Sequence, residues 1–149
     1  MGVISLASTS SACKGLEYYK NNKVTNLNKI SENEYTSKVV GTQTYNVYLN
    51  TKHVRKSTCD CPFANGKRII CKHIVATYFK ALPSEALEFE KEQERLQEEY
   101  DKYEEELYNK AMTCINSMSK KELIQELIYV FDYGPDWLYS DFLRRNNID

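Results

Sequence analysis

One stretch of fifteen residues constrains this chain more than any other: Cys59-Asp60-Cys61-Pro62-Phe63-Ala64-Asn65-Gly66-Lys67-Arg68-Ile69-Ile70-Cys71-Lys72-His73. Of the five Cys and two His in 149 residues, four fall inside it. The order is Cys-x-Cys, nine residues, then Cys-x-His. Two cysteines two apart on an extended strand project to the same side. Pro62 and Asn65-Gly66 then allow the chain to turn back, and Cys71 and His73 are expected at the start of a helix facing the strand end. Three thiolates and one imidazole make a closed tetrahedral set, the arrangement of structural Zn2+, and soft sulfur ligands favour zinc over magnesium, calcium or manganese. Competing readings are free thiols clustered by chance, a Cys/His catalytic pair, a catalytic zinc and an iron–sulfur cluster. A catalytic pair leaves two cysteines without a role, and a catalytic zinc usually keeps an open position that four ligands would close.

The remaining texture divides the chain. Residues 1–12 are small and polar and are expected to be a flexible N-terminus. Residues 13–83 hold short β-type runs and the cysteine cluster. Leu16–Lys20 and Lys23–Ile30 flank Asn21-Asn22, and Glu34–Val40 and Thr44–Leu49 flank Gly41, so two hairpins are expected. Tyr45, Val47 and Leu49 alternate with polar neighbours and give one apolar face. His53–Thr58 reads as a further strand, and Ile74–Leu82 as a helix broken by Pro83-Ser84. Residues 84–149 read as an acidic helical region. Ser84 is the expected N-cap of a helix reaching about Cys114, striped by Phe89, Leu96, Tyr100, Tyr103, Leu107 and Cys114. Ser119-Lys120-Lys121-Glu122 is a capping box opening a helix with Leu123, Ile124, Leu127, Ile128 and Phe131 on one face. Asp136 is expected to cap a short last helix. The fold class is therefore α+β: an N-terminal antiparallel β-meander with a metal-bound hairpin–helix finger, followed by one long acidic helix and short helices.

The formal charge of −1 is a cancellation. Residues 1–83 carry 12 Lys+Arg against 4 Asp+Glu, and residues 84–149 carry 8 against 17. Such asymmetry points to nucleic-acid, membrane or protein contacts. The apolar runs are too short for a membrane-spanning helix, and the first residues lack the basic and apolar regions of a signal peptide. A reducing, cytoplasmic compartment is the expectation, in which clustered cysteines bind metal before they form disulfides.

The Cys59-x-Cys61…Cys71-x-His73 order, with Pro62 after the first pair and Ile74-Val75-Ala76 after the histidine, resembles a SWIM-type zinc finger. Gly15-Leu16-Glu17-Tyr18-Tyr19-Lys20-Asn21-Asn22-Lys23-Val24 is similar to the hairpin that opens these domains, so the resemblance covers about Cys13 to Leu82. It implies Zn2+ held by Cys59, Cys61, Cys71 and His73, and a role in binding DNA or protein. Cys13 is then left as a free thiol and Cys114 as a small core residue, and His53 falls outside the ligand set, since four ligands are already present.

Arg55, Lys56, Lys67, Arg68 and Lys72 surround the cysteine cluster, where Asp60 is the single acid between positions 52 and 80. They form a candidate phosphate-contacting surface, and Tyr18, Tyr19, Tyr48 and Phe63 are candidate stacking faces. Each aromatic also suits ordinary sheet packing, and the cations also offset a three-thiolate site. The leading expectation is nucleic-acid binding, DNA foremost, through this basic finger surface; the alternative is a protein–protein adaptor or regulatory subunit in which the finger and the acidic helices bind a protein partner. A dimer through the long helix is a further option, and neither a small-molecule substrate nor an enzymatic activity is expected, since no constellation of catalytic groups is recognisable.

Overall fold

A computed structural model describes residues 2–148. The chain forms two compact units, residues 1–95 and 96–149. The first begins with helices α1 (Val3–Leu6) and α2 (Thr9–Lys20), followed by strands β1 (Val24–Ser31), β2 (Glu34–Val40) and β3 (Thr44–Asn50). A 3-10 turn (Val54–Lys56) leads to the short strand β4 (Thr58–Cys59), and helix α3 spans Lys72–Ala81. The four strands form one antiparallel sheet in the order β1-β2-β3-β4. Helix α4 (Pro83–Ser117) starts in this unit and continues into the second, which also contains α5 (Lys120–Tyr133) and α6 (Asp136–Arg145). The fold is α+β, as expected.

The N-terminal segment differs from the sequence reading. Residues 1–12 were expected to lack fixed structure, yet Val3 is buried in the core cluster and Ser8 caps α2, accepting a hydrogen bond from the Ser11 backbone. Leu16–Lys20, expected as a strand, is the last part of α2. The Asn pair does turn the chain, but as a helix terminator. Asn22 adopts φ 52°, its N–H bonds the Tyr19 carbonyl and that of Lys23 bonds the Tyr18 carbonyl. This is the Schellman pattern, with asparagine in the left-handed position that glycine usually takes.

Strands β2 and β3 follow their period of two. Tyr35, Ser37 and Val39 from β2, and Tyr45, Val47 and Leu49 from β3, point inward and are buried. They pack on α3, whose Ile74, Val75, Thr77 and Phe79 are buried in turn. One polar tie crosses this apolar layer. Ser37 and Thr77 hydroxyls lie 2.6 Å apart, and Thr77 donates to the His73 carbonyl at 2.9 Å. Both hydroxyls are therefore satisfied where an unpaired one is costly. His53–Thr58, expected as a strand, is mostly the 3-10 turn, because Asn50 accepts from the His53 N–H and its own N–H donates to Ser57, folding the segment back on itself.

Only Leu82 separates α3 from α4, and Pro83 rather than Ser84 begins the new helix. Proline suits the first helical position because its missing N–H would lack a partner there anyway. Ala86 is buried, Phe89 packs 5.6 Å from Phe79 ring to ring, and Glu90 pairs with Lys20. In the second unit the Ser119–Glu122 capping box forms with both of its bonds. The residue preceding α6 is Pro135, with Asp136 as the first helical residue rather than the cap.

Helices α2 and α3 approach closely at Gly15. A Cβ there would lie 2.4 Å from Val75 Cγ1 and 3.1 Å from the Lys72 carbonyl oxygen. Alanine in place of an ordinary helical glycine gains about 0.5–1 kcal/mol, but here overpacking dominates. We expect Gly15→Ala to destabilise the protein by roughly 1–3 kcal/mol, read as a lower denaturation midpoint; an unchanged or raised midpoint would refute this packing account.

Candidate metal centre and basic groove

The cysteine cluster is positioned by three pieces of chain. Cys59 lies in β4, whose pairing with β3 sets Cys59 opposite Val47. Cys61 follows in a turn closed by N–H bonds from Ala64 and Asn65 to the Cys61 carbonyl, and Gly66 reverses the chain at φ 69°. Cys71 is the N-cap residue of α3 and His73 its second residue. All four side chains are buried.

The ligating atoms converge: three Sγ atoms and a histidine ring nitrogen lie within 4.8 Å of one another. His73 Nδ1 is 3.6 Å from Cys59 Sγ and 4.0 Å from Cys71 Sγ. Tetrahedral corners at ordinary Zn–S and Zn–N bond lengths lie roughly 3.5–3.8 Å apart, so the donor set fits zinc in size as well as chemistry. The protonation pattern agrees. A hydrogen bond from Cys59 holds the Cys71 thiol well below its ordinary range, while the same bond, reinforced by burial, pushes Cys59 up. Such a pocket retains a proton that a bound cation would displace. Zn2+ held there would cross-link β4, the Cys61 turn and α3; with four protein ligands and no open position, its chemistry is structural.

Packing, rather than a second hydrogen bond, orients the histidine. Tyr45 stacks on the ring at 4.6 Å and Tyr18 meets it edge-on at 5.4 Å. His73 Nε2 is buried without a hydrogen-bond partner among the described residues. A Cβ at Gly41 would lie 3.3 Å from it and 3.0 Å from the Tyr45 ring. Metal-bound histidines usually donate their other N–H to a fixed acceptor; an aromatic clamp replaces that acceptor here. Tyr18 and Tyr45 were legible as aromatics in β-like sequence, but nothing in their spacing marked them as neighbours of His73.

Four of the candidate phosphate-contacting residues gather on the outer side of the sheet. Arg55, Lys56, Lys67 and Arg68 line one groove of about 960 Å3, joined by Lys38 from β2, which the sequence reading had not singled out. The strand floor is polar, with Asn28 opposite Thr36 and Lys38 opposite Asn46. Asp60 also lines the groove, but both its oxygens are engaged by Asn46, one by the backbone N–H at 2.9 Å and one by the side-chain amide at 2.8 Å. None of the five cations forms an ion pair among the described residues. Lys72 stands apart: it lines a different cavity and its ammonium sits 4.5 Å from the Tyr18 ring centroid.

The proposed stacking faces are mostly in use. Tyr18 clamps His73, Tyr19 packs near Phe79, and the Tyr48 hydroxyl donates to Glu34 at 2.6 Å, although Tyr48 also lines the groove. Phe63 is exposed but lines the cavity shared with Lys72. His53 is exposed and outside the metal cluster, and Cys13 is a free thiol on α2, 3.8 Å from Gln93. Cys114 is exposed, not a core residue.

Residues 45–82 match the SWIM zinc finger family, and this segment of the chain is a SWIM-type finger. The match spans 38 of 149 residues and begins at Tyr45. The upstream segment likened to the family's opening hairpin lies outside it and is helix α2 running into β1. Neither the curated proteins nor the solved structures returned a match. No described helix is long and apolar enough to cross a membrane.

If the cluster is a structural zinc site, purified protein should contain one equivalent of zinc, and Cys71→Ser should lose it. Structural zinc contributes on the order of 10 kcal/mol in small fingers, so chelation should lower the melting temperature sharply. Metal-free protein with melting indifferent to chelator would refute the assignment.

Proposed function

We propose that the chain is a zinc-dependent binding module, not a catalyst, and that its finger unit binds nucleic acid, DNA foremost, through the groove beside the metal site. One observation carries this reading: five cations from separate segments, the strand β2, the 3-10 turn and the loop between the metal ligands, converge without a close ion pair on a single groove with one hydrogen-bonded carboxylate, Lys56 alone feeling the more distant charge of Glu34. Convergence of this kind matches a phosphate backbone better than the scattered cations of a solvated surface. The asparagine and threonine side chains on the groove floor supply neutral donors and acceptors for sugar and phosphate oxygens. Zinc serves by fixing both ends of the loop that carries Lys67 and Arg68.

Binding of the full chain to short DNA duplexes and single strands, followed by fluorescence anisotropy, should fall steeply with salt. Each phosphate engaged contributes a log–log slope of about −0.9 on duplex and about −0.7 on single strands. Lys67→Glu with Arg68→Glu should abolish binding at moderate salt, whereas Lys72→Glu, outside the groove, should leave most of it. No binding at low salt would sink the nucleic-acid reading.

A further inference from the structure

The second unit has an apolar surface that its own helices leave open. No residue from 96 to 148 is buried. Along α4, Leu96, Tyr100, Tyr103 and Leu107 are 46%, 58%, 58% and 43% exposed. Their alternating spacing of four and three residues is that of a heptad seam, which Cys114 would extend beyond an interruption at Lys110. The stripe was expected to cover something with one face, or to make a short coiled-coil or dimer contact; among the described residues these four side chains are exposed.

Charge indicates what can cover it. With Leu96 and Tyr103 at one core position and Tyr100 and Leu107 at the other, Glu104 falls on one flank of the seam and Glu99 and Glu106 on the other. The segment 96–117 carries six acids against Lys102 and Lys110. A second copy laid parallel would set Glu99 against Glu104. Laid antiparallel, it would face each glutamate flank with its own kind. Either arrangement places like charges at the positions that choose coiled-coil partners.

We propose that this α4 seam docks an amphipathic helix of a partner protein whose apolar stripe is flanked by Lys or Arg. The glutamate flanks select the basic partner and reject self-association, while the four large side chains provide the buried centre of the contact. The seam shares no residue with the nucleic-acid groove, and the proposal does not depend on that reading.

The test uses the full zinc-loaded chain and three synthetic peptides of about 21 residues, three heptads each. One carries Leu at both core positions and Lys at both flanks, the second Leu with Glu flanks, and the third Gln at the core with Lys flanks. The chain alone should sediment as a monomer. The Leu/Lys peptide should bind at least roughly tenfold more tightly than either control, a margin worth about 1.4 kcal/mol. Tyr103→Glu with Leu107→Glu, on exposed positions and with helicity checked by circular dichroism, should remove that binding. The Lys67→Glu/Arg68→Glu protein should retain it. A stable homodimer dispersed by the α4 substitutions, equal binding of both Leu peptides, or no binding of the Leu/Lys peptide would each overturn the proposal.

Discussion

Three buried sulfur atoms and one buried imidazole, brought within a few ångströms of one another, impose the central constraint on the first unit. Thiolates gathered in a dry site repel one another and lose their hydration, and Cys59 and Cys71 meet this by sharing a hydrogen bond that pushes Cys59 up and holds Cys71 down. A divalent cation held by the four side chains would resolve it. Strand β4 is only two residues long, and the loop to α3 holds turns and a single bridge from Ile70 to Ala7. A metal cross-link at their shared end would substitute for the hydrogen-bond ladder and large core that these segments lack.

The site was more legible than its surroundings for a physical reason. Metal chemistry demands particular side chains at particular spacings, so Cys59, Cys61, Cys71 and His73 could be read from order alone. The inward face of β3 and the Ser119 capping box were legible because each depends on a short local pattern. Helix α2 was not. Asn22 signals a left-handed residue, and both a hairpin and a helix end can use one. Gly15 looks like a helix breaker in sequence, yet its lack of a side chain allows Val75 to approach. Lys38 was missed because its place in the groove depends on strand pairing, which the cysteine loop does not encode.

The apolar pattern on α4 shows a different limit. Its periodicity correctly indicated a helix with one apolar face, but periodicity cannot say where that face is buried. Leu96 to Leu107 are no less regular for being exposed, and the glutamates beside them become informative only when the face is seen to be open. The near-zero formal charge of the chain conceals this second local chemistry as fully as it conceals the basic groove.

The bridge between Ala7 and Ile70, together with buried Val3, has a consequence for how this finger is delimited. The recognisable segment starts at Tyr45, but α3 within it rests heavily on α2, and the sheet that orients Tyr45 requires β2. The motif is therefore smaller than the object that folds. A boundary drawn around the matching residues would excise the metal ligands from half of the packing that aims them, and what it isolated would be a ligand list rather than a domain.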